Sequence, residues 1–148
     1  MKSYTEIERK QLQDNLPLIR QVGGWKTEEF GNMIGVTKQT ISNIENNKTD
    51  LTKIQYIAIR AVLDYEMKSN DILANIVTLL LDTENLSPED ETKIKNAAVF
   101  VSGAKKNGLD NSAVSNGFRT LLGSLPVLMI AGFETGVWLA KLLKNKNK

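Results

Sequence analysis

Five closely spaced residues, Lys38, Gln39, Thr40, Ser42 and Asn43, all end in hydrogen-bonding groups. A glutamine amide presents a donor and an acceptor side by side, which matches the N6 and N7 edge of adenine, and a lysine ammonium can reach guanine N7 and O6. Thr40 and Ser42 could touch a phosphate oxygen or a thymine methyl. Asn43 follows Gln39 by four residues, so on a helix the two amides stand one turn apart on the same face. This is the chemistry of recognising polar edges. Reactive chemistry is poorly supplied. The chain has neither histidine nor cysteine, which removes the imidazole base, the thiolate and the usual zinc ligands. Glu89, Asp90 and Glu91 crowd an expected helix start, where the helix dipole accounts for them. Gly31, Gly35 and the other glycines form no phosphate-cradling loop. No catalytic residue, metal ligand, cofactor or small-molecule ligand is expected.

To act as a set, these side chains must be held by a helix seated on a core. Phe30, Met33 and Ile34 recur at helical spacing and predict a short helix over 28–34. Gly35 suits a left-handed C-cap, Val36 would plug the corner, and Thr37 can accept an orphan N–H as the N-cap of a second helix. That helix would carry Ile41 and Ile44 inward and the polar set outward. Residues 27–45 therefore read as two short helices joined by a tight turn.

The stretch resembles the helix-turn-helix of the Cro and phage-repressor type, the XRE family of bacterial regulators. Leu16, Ile19-Arg20, Gly24-Trp25, Glu29-Phe30-Gly31, Ile34-Gly35-Val36-Thr37, Thr40-Ile41-Ser42 and Ile44-Glu45 carry the likeness, over roughly 16–63. The resemblance implies an all-α fold and a homodimer on a two-fold operator in double-stranded DNA, most often as a repressor. It implies DNA contacts from Thr27, Thr37, Lys38, Gln39, Thr40, Ser42, Asn43, Asn46 and Lys48, with backbone N–H groups of the 46–50 turn facing a phosphate. It also implies a structural clamp between Arg20 and Glu45. Two positions depart from the pattern: Lys26 replaces a small capping hydroxyl, and Thr27 replaces a glutamine that touches a phosphate.

The 148 residues suit one or two small domains, and 41% hydrophobic with 24% charged residues fits a soluble globular chain. Net charge is +2, unevenly divided. Residues 1–83 hold 10 Lys/Arg and 11 Asp/Glu, whereas 84–148 hold 9 and 6. The recognition half is not a polycation, so attraction to DNA must come from a locally arranged face. Lys38, Lys48 and Lys53 could form it, against Glu28 and Glu29. The polar N-terminus does not read as a signal peptide, and a cytoplasmic location is expected.

Along the chain, Ser3 with Glu6 suggests a capping box for a helix over 4–14, read as a solvated arm packing loosely on the recognition domain. A separate helix is expected over 16–22, with Pro17 in its first turn. Asn47 is suited to a left-handed turn. A fourth helix over 52–64 is expected to bury Ile54, Ile57, Ala58, Ala61, Val62 and Leu63. A fifth, capped by Asn70, spans 71–81. Residues 82–88 read as a linker, which divides the chain into a recognition domain over 1–83 and a small helical dimerisation domain over 84–148. There, Ser87-Pro88 opens a sixth helix with Ile94, Ala97, Ala98 and Val101 inward. A seventh follows Asp110 or Asn111, and a last one spans 127–143. That last helix is apolar nearly all round. Leu128, Ile130, Gly132, Phe133, Gly136, Val137 and Trp138 are therefore expected to meet a second copy. Residues 121–140 also have the length of a membrane span, but Ser124, Pro126 and Glu134 oppose one. The alternatives to a DNA-binding regulator are a protein-interaction module, such as an antitoxin or anti-CRISPR-like inhibitor built on the same fold, and a membrane-associated regulator.

Overall fold

The computed structural model describes residues 4–83, 86–122 and 137–144. Among them the regular elements are all helices: α1 (Tyr4–Gly23), α2 (Thr27–Ile34), α3 (Lys38–Glu45), α4 (Lys53–Met67), α5 (Asp71–Leu81), α6 (Pro88–Lys106), α7 (Asn111–Leu122) and α8 (Val137–Lys144). The all-α expectation holds, with the helix-turn-helix at the N-terminal end and further helices beyond it.

The two helices expected over 4–22 are one. Leu12, Leu16, Ile19 and Val22 lie on a single stripe and are completely buried, and the stripe runs straight through Pro17. A proline inside a helix costs about 3 kcal/mol. Burying each large apolar side chain contributes about 1.5–3 kcal/mol, so the stripe outweighs the proline. The N-terminal part is accordingly no loose arm. Leu12 is core, and the Gln11 amide donates to the Leu80 carbonyl at 2.7 Å. Ser3, half of the expected capping box, lies outside the described residues.

The phase of α4 also differs from expectation. Its buried face is Tyr56, Ile59, Arg60, Leu63 and Met67, while Ile54 is 80% exposed. Apolar residues occur on two sides of this helix, and a buried arginine masks the true one. Arg60 is only 2% exposed because Asp82 meets it, with Nη2 donating to the carboxylate at 2.9 Å and 3.2 Å. Burial opposes the guanidinium charge, but the attraction and hydrogen bonding of Asp82 prevail and hold its pKa above the ordinary value. Asp82 is thus an anchor rather than the start of a free linker.

α5 keeps its expected span and its Asn70 cap, whose side chain accepts from the Leu73 N–H at 3.0 Å. Seven of its residues are buried, because it packs against α1, α4 and α6. α6 begins at the Ser87 cap and Pro88, and buries Ile94, Ala97, Ala98 and Val101 as expected, with Ala104 added. It lies on α1 and pairs with α7. Buried residues from both sides of the expected boundary belong to one continuous apolar cluster.

α8 docks on α4. The Trp138 indole N–H donates to Asp64 Oδ2 at 2.8 Å, and its ring meets Tyr56 edge-on at 5.8 Å. The Arg60 guanidinium lies 5.4 Å from the ring centroid. Trp138, expected at a surface between two copies, therefore faces inward and is 5% exposed. Val137 opens α8, and Leu128, Ile130, Gly132, Phe133 and Gly136 lie outside the described residues. No helix of the described residues is long and apolar enough to cross a membrane.

Candidate nucleic-acid interface

The polar set is positioned by the joint between α2 and α3. Lys26 precedes α2, and the Glu29 carboxylate accepts its backbone N–H at 3.1 Å. The lysine ammonium cannot accept in return, so this cap is one-sided. The chain then folds over Gly31, whose carbonyl accepts from the N–H groups of Gly35 and Val36 at 2.8 Å and 2.9 Å. A Cβ on Gly31 would stand 2.7 Å from the Val36 carbonyl oxygen, so backbone approaches backbone where only glycine fits. Gly35 adopts φ 91° as the left-handed cap. Thr37 caps α3 as expected, with its Oγ1 accepting the Thr40 N–H at 3.1 Å and lying 2.9 Å from the Thr40 hydroxyl.

Ile41 and Ile44 are buried and set the rotation of α3. That rotation leaves Lys38 and Gln39 exposed and Thr40, Ser42 and Asn43 half-buried, along one outer face. The Gln39 amide donates to Asn43 Oδ1 at 2.9 Å. The two amides are therefore ordered as a pair before any ligand arrives. Thr27 is half-buried in the first turn of α2.

The turn after α3 differs in part from the expectation. Asn47 takes φ 59°, as its residue type suggested. The backbone N–H groups of Asn46, Asn47 and Lys48 already donate within the chain, to Ser42, Ile44 and Asn43 carbonyls at 3.0, 3.1 and 2.8 Å. The Asn46 amide also folds back, donating to the Ser42 carbonyl at 2.9 Å. Closing the helix end engages these backbone donors, and the turn presents the exposed side chains of Asn46, Asn47, Lys48, Thr49 and Asp50, of which Lys48 is the cation.

Two residues of α1, seven positions apart, hold α3 from behind. Arg20 Nε and Nη2 donate to the two Glu45 carboxylate oxygens at 2.7 Å and 3.1 Å, and Nη1 donates to the Trp25 carbonyl at 2.8 Å. This is the geometry of an interhelical clamp, with both side chains mostly buried. Gln13 was not singled out from the sequence, yet it is 3% exposed. Its amide donates to the Ile44 and Thr49 carbonyls, both at 2.8 Å, and its oxygen accepts the Leu51 N–H at 3.1 Å. It thereby ties both ends of the turn that carries Lys48. The available signal was a polar residue in helical phase with Leu16 and Arg20, inside a buried stripe.

Among the described residues, no group of histidine, cysteine, aspartate or glutamate could hold a metal ion. Two short, capped helices joined at a fixed angle, with amide, hydroxyl and ammonium groups on the outer face of the second, define a DNA-binding helix-turn-helix. The chain belongs to the helix-turn-helix family of the Cro and phage-repressor type. A family model described as Helix-turn-helix matches residues 19–68. The chain is 34% identical over 90 residues to Antitoxin HipB of Escherichia coli K12, covering 60% of this chain and 90% of that protein. It is 33% identical over 90 residues to Antitoxin HipB of Escherichia coli O6:H1, covering 60% and 84%. No solved structure matches.

Proposed function

We propose that the chain is a sequence-specific regulator of transcription that binds double-stranded DNA as a homodimer, as a repressor, in the cytoplasm. The observation that carries this reading is the outer face of α3, where Lys38 and the ordered Gln39–Asn43 pair project from a helix fixed at both ends. Its N-terminal side chains have the residue types that read base edges in the major groove. Lys48 contributes a phosphate contact beyond the far end of α3, and Thr27 one beside α2. Residues 1–83 serve as the reading unit and 84–148 as the helical extension that brings two copies together. Leu139 and Leu143, exposed on α8, belong to that surface in place of Trp138.

A second reading, an antitoxin that holds a protein toxin, is favoured by the names of both relatives. DNase I footprinting on the sequence upstream of the chain's own gene tests the first. A discrete protected site with two-fold symmetry is expected, and absence of protection would refute it. The antitoxin reading requires a stable complex with the product of a neighbouring gene whose toxicity the chain suppresses.

A further inference from the structure

A groove of about 590 Å³ lies between α1, the start of α2 and the end of α6, and it runs up to the first residue of α3. Its rim carries Lys26, Lys38, Lys105 and Lys106, with Glu28 as the opposing carboxylate. Arg20 also lines it, but its charge is engaged by Glu45. Two of these lysines come from the helix-turn-helix. The other two come from α6, which lies beyond the residues the family model matches.

α6 is held in place here by named contacts. Lys105 Nζ donates to the Val22 carbonyl at 2.8 Å, and the Ser102 hydroxyl donates to Gln21 Oε1 at 3.3 Å. The Lys105 ammonium tucked against the end of α1 loses hydration, which lowers its pKa. Its role is docking. Lys106 is the neighbour left over. It is exposed, and its side chain has no hydrogen bond or ion pair among the described residues. Lys26 and Lys38 likewise have no side-chain partner there.

We infer that this groove is a track for the DNA backbone, and that Lys106 extends the interface to a phosphate flanking the base pairs read by α3. The inference rests on the DNA-binding reading given above. When the start of a recognition helix enters the major groove, the preceding helix crosses the sugar–phosphate backbone. Lys38 begins the first of these helices and Lys26 precedes the second, so a strand leaving the major groove on that side runs between them and Lys106. The net excess of cations in the groove matches a polyanion. The half that carries the recognition helices nearly balances its Lys/Arg and Asp/Glu, and α6, from the other half, supplies cations at its edge.

The test uses the full chain and duplexes selected by it from a random-sequence pool. One duplex keeps natural-length flanks, and one is trimmed to the protected core. With the long duplex, Lys106→Ala should weaken binding about five- to tenfold per bound subunit at 0.1 M salt and flatten the salt slope by about one unit. With the trimmed duplex the same variant should bind like the unaltered chain. Hydroxyl-radical footprints should lose protection at the flanking phosphates alone. Equal affinities for the long duplex, or equal losses on both duplexes, would overturn the inference while leaving the regulator reading intact. Failure to retain any duplex would overturn both. Lys106→Arg should restore binding, and unchanged melting temperature would separate the effect from folding.

Discussion

The same substitution at two glycines should have opposite effects, and the joint between α2 and α3 provides the reason. A methyl at Gly31 would stand 2.7 Å from the Val36 oxygen and 3.3 Å from the Thr37 carbonyl carbon and oxygen. These are backbone atoms, so no rotamer change can relieve the contact. Overpacking of this kind costs about 1–3 kcal/mol, and replacing a helical glycine by alanine returns about 0.5–1 kcal/mol. Gly31→Ala should therefore destabilise by up to roughly 2.5 kcal/mol. For a chain of this size that lowers the melting temperature by up to roughly 10 °C. Gly103 lies inside α6, and its added Cβ would meet nothing within 4 Å. Gly103→Ala should gain only the propensity term and melt roughly 1–4 °C higher. Differential scanning calorimetry on both variants reads the signs. Because the strain sits in the turn, α3 must shift, so Gly31→Ala should also weaken DNA binding in gel shifts below its melting range. If both substitutions raised the melting temperature, the close approach of the α2–α3 turn to Gly31 would be refuted.

The remaining predictions concern the braces and the outer face of α3. Gln13→Ala leaves the Ile44 and Thr49 carbonyls and the Leu51 N–H without their partner, at about 1–3 kcal/mol; hydrogen exchange should rise first at Leu51, and unchanged protection there contradicts the brace. Arg20→Ala strands the mostly buried Glu45 and should cost about 3 kcal/mol. Normal stability with lost DNA binding would instead make Arg20 a DNA contact. Trp138→Phe keeps the packing on Tyr56 but removes the bond to Asp64, for about 1 kcal/mol, and a dimer that dissociates with no change in monomer stability would return Trp138 to the intersubunit surface. Gln39→Ala should relax specificity at one base pair for about 1–3 kcal/mol, whereas Lys48→Ala should weaken all duplexes alike. Identical specificity profiles for the two variants would show that the outer face of α3 does not read bases.

The helix-turn-helix was legible in the chain because its signals are local. Gly35, Thr37, Asn47, Asn70 and Ser87-Pro88 set caps and turns through the backbone of their own neighbours, and the structure places each where its chemistry suggested. Ile41 and Ile44 fixed which side of α3 faces out, since a short helix with two large apolar residues has one stable rotation. Three matters were settled only in three dimensions. Whether α1 breaks at Pro17 depends on the surface that Leu12 and Leu16 find to bury against, which lies on other helices. Which face of α4 is buried depends on Asp82, 22 residues away, supplying the charge that lets Arg60 enter the core. The polar groups of Gln13 and Trp138 gain their roles from the Leu51 N–H and the Asp64 carboxylate, partners 38 and 74 positions distant. A spacing pattern carries the period of an element and the chemistry of its ends. It does not carry the partner that satisfies a buried polar group, because that partner is chosen by how the helices pack.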